Sequence, residues 1–190
     1  MRAIWSLMLC VLMLTAVGCG DKKTGGDTTN ATDNTGLVEK MNGKAHDAAR
    51  EWINWGLRRV GDLSSTASVA AAKNLQIAAN KGVMWLEKES SIKTVEKVNS
   101  YLCDTILSSL NPAVGAGIDM AARILDSTLG IDANKTLTEA ELKLVASFVR
   151  GISDGCTDYL AGKLASPPQL ISKPSDYKPR YWMVCAPKKT

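Results

Sequence analysis

Histidine and phenylalanine occur once each in these 190 residues, as His46 and Phe148. With one imidazole, a Ser–His–Asp or Cys–His site could be built only around His46. No nucleophile elbow is present, and no glycine-rich loop follows a strand-like run. Asp47 and Glu51 are close to His46 in sequence, and a solvated surface histidine accounts for all three. The excess of one sign of charge is also small, with 23 lysines and arginines against 19 aspartates and glutamates. The formal net charge is +4, well short of the concentrated basic face that nucleic-acid binding requires. Five of the six prolines fall in residues 166–190, so little interrupts helix formation before them. Beyond the first 18 residues no run approaches the length of an apolar membrane span. The 45% hydrophobic and 22% charged content is that of a globular domain.

Apolar density is highest at the start. Arg2 precedes an apolar run from Ile4 to Leu14 broken only by Ser6, and Thr15-Ala16-Val17-Gly18 follows with mostly small side chains. A positive start, a short apolar stretch and a small-residue end form a secretory leader, expected to be cleaved as residues 1–18. Leu14-Thr15-Ala16-Val17-Gly18-Cys19 resembles the lipobox of bacterial lipoproteins, with Ala16 standing where that family prefers leucine. The resemblance implies a diacylglyceryl group on the Cys19 thiol, cleavage before it, and often acylation (palmitate) of the new amine. Two or three acyl chains hold a protein on a membrane far more firmly than one. Behind Cys19, Gly20–Gly36 contains one alanine and otherwise only Gly, Thr, Asn, Asp and Lys. Such a composition cannot offset its own ordering entropy, so residues 19–36 are expected to form a disordered tether. Gly20, rather than an aspartate, follows Cys19, which favours the outer membrane if the host is Gram-negative.

From residue 37 to 165 the periodicity is helical. Leu37, Met41, Ala45, Ala48, Trp52 and Trp55 predict a first helix to about Val60, ended by Gly61-Asp62. Val69, Ala72, Ala79, Val83 and Leu86 predict one stripe of an alanine-rich second helix through Glu89. Val95, Val98, Leu102 and Ile106 mark a third. Asn111-Pro112 starts a fourth, which Gly130 closes. Thr138 and Glu141 have capping-box spacing. Beyond them Leu142, Val145, Val149, Ile152, Cys156 and Tyr159 form a coiled-coil-like seam. The expected fold is all-α, a bundle of four or five helices, with residues 166–190 as an extended, proline-rich basic tail.

Cys10 leaves with the leader and Cys19 takes the lipid, so Cys103, Cys156 and Cys185 remain. An oxidising compartment allows them one disulfide and one thiol. Cys103–Cys156 would lock two predicted helices, and Cys156–Cys185 would staple the tail. Their spacings, with no histidine or second cysteine nearby, do not make a metal site, and no cofactor is expected.

Three features remain. Gly130–Glu141 has the outline of a calcium loop, with Asp132, Asn134, Thr136 and Glu141 at ligand positions. Gly130 in the first place and Lys135 at the turn break the pattern, and a helix start explains the same residues. Trp52 and Trp55 are either core or the edge of a binding face. The tail carries Lys178 and Arg180 beside Tyr181 and Trp182, which suits a membrane interface or a partner surface equally with aromatics docked on the bundle.

The layout is similar to pilotins and to small phage- or plasmid-encoded exclusion or immunity lipoproteins. The expected function is a lipid-anchored, non-catalytic interaction or assembly-accessory module of the bacterial envelope. It would be held to the membrane through Cys19, pair with an envelope protein and bind no nucleic acid. The alternative is a membrane- or small-ligand-binding helical module using the tail or an interhelical cavity, with an envelope enzyme third.

Overall fold

A computed structural model describes residues 30–62, 64–88, 93–107, 110, 112–165, 167–168 and 181–185. The expected leader, Cys19, Lys178 and Arg180 lie outside the described residues.

The domain is all-α. α1 spans Asn30–Gly61, α2 Ser65–Glu87, α3 Val95–Leu102, α4 Pro112–Ala121, α5 Arg123–Leu129 and α6 Glu139–Leu160. A π-helical turn, Cys103–Leu107, continues α3, and α4 and α5 are one helix stepped at Ala122. Among the described residues the only extended pairing is an isolated bridge between Thr94 and Thr136. No described helix is long and apolar enough to cross a membrane.

α1 begins seven residues before the expected Leu37, inside the segment read as tether. Residues 30–36 carry no apolar period to announce a helix, but extending a helix that already exists costs little compared with nucleating one. The buried stripe of α2 also differs from expectation. Val69 is 38% exposed, and Ser68 is buried in its place. The Ser68 hydroxyl donates to Ser65 O at 2.8 Å and shares a short hydrogen bond with the Tyr159 hydroxyl, so its polar atom is satisfied.

Hydrogen-bond partners give the chain directions. Ser147 Oγ donates to Asn42 O, His46 meets Asp154, Arg50 meets Asp158, and Asn54 Nδ2 donates to Lys163 O. The numbers rise together, so α1 and α6 run parallel. Gln76 pairs with Thr157 and Asn80 with Ser153, so α2 runs antiparallel to both. The α1–α6 contact is close because α6 presents glycine. A Cβ on Gly151 would stand 2.2 Å from His46 O, and one on Gly155 2.6 Å from Arg50 O. On another side of α1, Gly117 of α4 leaves the same kind of clearance, 2.7 Å from Trp52 O. α1 is therefore gripped from two sides, with Ala45, Ala49, Ile53 and Leu57 fully buried. α6 is buried along most of its length, with Val145, Phe148, Val149, Ile152 and Cys156 all at 0% exposure.

The connections are tied by caps. Thr138 and Glu141 form the reciprocal box expected from their spacing. Lys93, 4% exposed, donates from Nζ to Leu86 O at 2.7 Å and Lys88 O at 2.6 Å, satisfying carbonyls at the end of α2. At the start of α3, Val95 N–H donates to Lys135 O at 2.9 Å and Glu96 N–H to Ala133 O at 3.0 Å. The calcium-like loop thus spends its carbonyls on a helix N-terminus.

Candidate functional site

The C-terminal segment is the part least expected from the sequence pattern. Tyr181–Val184 makes a turn in which Val184 N–H donates to Tyr181 O at 3.2 Å. Met183 adopts φ 61°, a left-handed conformation that costs a side-chain-bearing residue energy unless its surroundings hold it. Two buried side chains do so. Asn99 of α3 donates from Nδ2 to Tyr181 O at 3.2 Å and accepts from Met183 N–H at 2.7 Å. Asp126 of α5 accepts at Oδ1 from the N–H groups of both Tyr181 and Trp182, each at 2.9 Å. The Trp182 indole is fully buried, and its Nε1–H donates to Gly130 O at 3.1 Å.

This placement selects between the two readings of the tail aromatics and corrects the expected disulfide. Trp182 is withdrawn from the surface and offers nothing to a membrane or partner; Tyr181 beside it is half-buried. The disulfide joins Cys103 to Cys185, with a Cα–Cα separation of 5.6 Å, and neither pairing through Cys156 forms. Docking Trp182 and Met183 carries Cys185 to the first residue of the π turn. Cys156 stays on α6 at 0% exposure, where burial pushes its thiol up to about 12. A thiol so far above neutral pH has almost no thiolate and is unreactive.

A polar seam runs along the α1–α6 contact. The His46 ring bonds at Nδ1 to Asp47 at 3.0 Å and at Nε2 to Asp154 at 2.9 Å. Burial alone would lower its pKa, but the two carboxylates outweigh that and raise it above the ordinary value. The lone histidine thus joins two helices at the surface, part-exposed between two exposed carboxylates. One turn on, Asp158 takes Arg50 at 2.5 Å and Lys163 at 2.6 Å. Its carboxyl is held below the usual range, chiefly by the Arg50 hydrogen bond. The His46–Asp154 and Arg50–Asp158 pairs each join residues 108 apart, too distant in sequence for any local motif to show them, and they form only once the helices are docked parallel.

The domain carries two clefts, one beside this seam and one between α2 and α6. The first, of about 480 Å³, is lined by Asp47, Arg50, Glu51 and Asn54 of α1, Asp158 of α6, and Leu164, Ala165, Pro167 and Pro168 beyond it. The other, about 390 Å³, lies between the end of α2 and the start of α6, with Lys88, Lys93, Lys143 and Arg150 around Leu142 and Ala146. Trp52 is buried and Trp55 half-buried, in edge contact with ring centroids 5.5 Å apart. Arg59 lies over the Trp55 ring at 5.4 Å, and Arg58 donates to Asn54 Oδ1 at 3.2 Å. In the calcium-like loop, Lys135 reaches Glu141 at 2.5 Å, placing a cation on the carboxylate that would have been the last ligand. No group of carboxylates, histidines and cysteines suited to a metal ion occurs among the described residues.

Comparison with protein-family models, with curated proteins and with solved structures finds no match for this chain.

Proposed function

We propose that the protein is a lipid-anchored component of the bacterial cell envelope whose helical domain acts by binding another envelope protein, as an interaction or assembly-accessory module. The observation that carries this is the order of three sequence features: an apolar leader, Cys19 behind Gly18, and a polar stretch before the first helix. Each alone is weak, and their succession matches what an exported, acylated precursor requires. The use of side chains in the domain is consistent with binding rather than catalysis. His46 is committed to two carboxylates, Asp158 to two cations, and Cys156 to the core.

A small-ligand reading retains support from the cleft of about 480 Å³ beside Arg50 and Asn54. Trp182 does not support a membrane-binding reading of the tail, because it is inside the bundle.

Two measurements test the proposal. Intact mass of the membrane-associated protein should show cleavage before Cys19 and a mass increase from acyl chains, lost in a Cys19→Ser form. An unmodified Cys19 sinks the anchor. Crosslinking in cells followed by purification of the tagged protein should then recover one envelope protein in stoichiometric amount; recovery of nothing reproducible sinks the interaction.

A further inference from the structure

The outer face of α2 is apolar where a helix facing water should not be. Val69, Ile77 and Met84 are 38%, 55% and 73% exposed, three of the eight exposed large apolar side chains among the described residues. At 100° per residue, Ile77 and Met84 lie within one narrow sector, with Lys73 beside Met84 and Val69 further out on the same flank. Lys81 and Lys88 follow on the flank, and all three lysines are exposed. The sole acidic residue of α2 is Glu87, and Arg150 engages it. The face therefore combines an apolar ridge with lysines and no free carboxylate.

Charge decides between occupants. Two copies meeting through this face would set lysines against lysines, which opposes a symmetric dimer. An anionic lipid surface complements both parts, taking Ile77 and Met84 among acyl chains while the lysine stems reach back to phosphates. The cleft at the end of α2 adjoins the surface and adds Lys88, while its Arg150 and Lys143 pair with Glu87 and Glu139 and its Lys93 is buried on backbone carbonyls.

Topology puts the Met84–Lys88 end of this surface beside the N-terminal half of α1. α2 runs antiparallel to α1, and the cleft residues Leu142 and Ala146 stand level with the α1 segment near Leu37 and Met41, given the Asn42–Ser147 register. That is the half of α1 leading back to Cys19. Eleven residues from Cys19 to Asn30 can span at most about 40 Å, so an anchored domain stays within reach of the bilayer.

We infer that the exposed face of α2, centred on Ile77 and Met84 with Lys73, Lys81 and Lys88, is a docking surface for an anionic lipid bilayer. This rests on the anchored reading above and adds an orientation to it: the domain lies against the membrane along α2. The contact is weak by itself and effective because the anchor keeps it at high local concentration.

The experiment separates the face from the anchor. Every described helix lies after residue 29, so the chain beginning at Gly20 keeps the whole bundle and lacks acylation. It is pelleted at millimolar lipid with vesicles of phosphatidylglycerol and phosphatidylethanolamine, or of phosphatidylcholine alone. The expected result is binding to the anionic vesicles only, falling as salt rises. Binding should drop about tenfold or more in Lys73→Glu/Lys81→Glu and in Ile77→Ser/Met84→Ser, with unchanged helical circular dichroism. Failure to pellet on anionic vesicles, or pelleting that neither double variant reduces, overturns the inference whatever the mass of Cys19 shows. A dimer, or a stoichiometric envelope protein, lost in Ile77→Ser/Met84→Ser without vesicle binding would reassign the face to protein.

Discussion

The carboxamide of Asn99 closes on the backbone of the tail from both of its polar atoms, donating to Tyr181 O and accepting from Met183 N–H at 2.7 Å. One side chain thereby satisfies an acceptor and a donor on either side of Trp182, as a neighbouring strand would. Asp126 supplies a second acceptor for the same turn. The two residues come from α3 and α5, so the tail joins elements that make few direct contacts with each other. Trp182 then fills the space between them, and Cys185 is delivered to Cys103.

Removing the clasp should therefore loosen the tail before the bundle. Asn99→Ala leaves the buried Met183 N–H without an acceptor, which costs about 1–3 kcal/mol. Trp182→Ala removes a fully buried indole and should cost about 3–5 kcal/mol. Denaturant midpoints measure both losses. Hydrogen exchange at the amides of 181–184 should rise in Asn99→Ala while the α6 core amides keep most of their protection. Equal loss of protection in both regions would show that the tail is not a separable unit.

The disulfide closes a separation of 82 residues. Loop-entropy arguments put the stabilisation from so long a closure near the upper end of the usual range, about 2–4 kcal/mol in practice. Cys103→Ser/Cys185→Ser should lose that amount, read from the urea midpoint of the chain beginning at Gly20. In the same chain Cys156 should resist a thiol reagent under native conditions and react stoichiometrically in denaturant. Rapid native labelling of Cys156 would contradict its buried placement.

The helix contacts make opposite predictions for alanine at different glycines. Gly151→Ala and Gly155→Ala place a methyl against α1 backbone carbonyls, which cannot swing aside as a side-chain end can. Each should destabilise by about 1–3 kcal/mol or more, and Gly151→Ala, with the shorter distance, by the larger amount. A Cβ on Gly43 meets nothing within 4 Å in the middle of α1, so Gly43→Ala should stabilise by about 1 kcal/mol through helix propensity. Thermal melts of the three variants check the order.

His46 should make stability depend on pH in a defined direction. Its pKa is raised in the fold, since the Asp47 and Asp154 bonds outweigh the opposing effect of burial. The charged ring is then bound more tightly in the folded chain than in the unfolded one. Its contribution is fully present below the ordinary histidine value and is lost as pH rises through the higher folded value. His46→Gln should accordingly cost more at about pH 5.5 than at about pH 8.5, two conditions that bracket the ordinary value of about 6.5. Titration of the ring by nuclear magnetic resonance should place its pKa above that value; a midpoint below it would show that burial wins.

Much of the fold was legible because it rests on local chemistry. The Thr138–Glu141 box, the halt at Gly130 and the seam from Val145 to Cys156 depend on residues within a turn or two of each other, and all three stand in the structure. The stripe of α2 holds at Ala72, Ala79, Val83 and Leu86 and departs only at Val69, because in so alanine-rich a helix Val69 and Ser68 compete for the inward position on nearly equal terms. Ser68 occupies it with the help of Tyr159, 91 residues away. The Cys103–Cys185 pairing was out of reach for the same kind of reason. Cysteine spacing carries no geometry; the bond forms because Asn99, Asp126 and the cavity for Trp182 pull the tail across α3. The sequence by itself determined that the chain is helical, where most helices stop and which side of each turns inward, since those follow from periodicity and capping. Only the tertiary structure decided which helices lie parallel, which tryptophan is hidden and which cysteines meet, because each depends on groups far apart in the chain that come together only in the packed bundle.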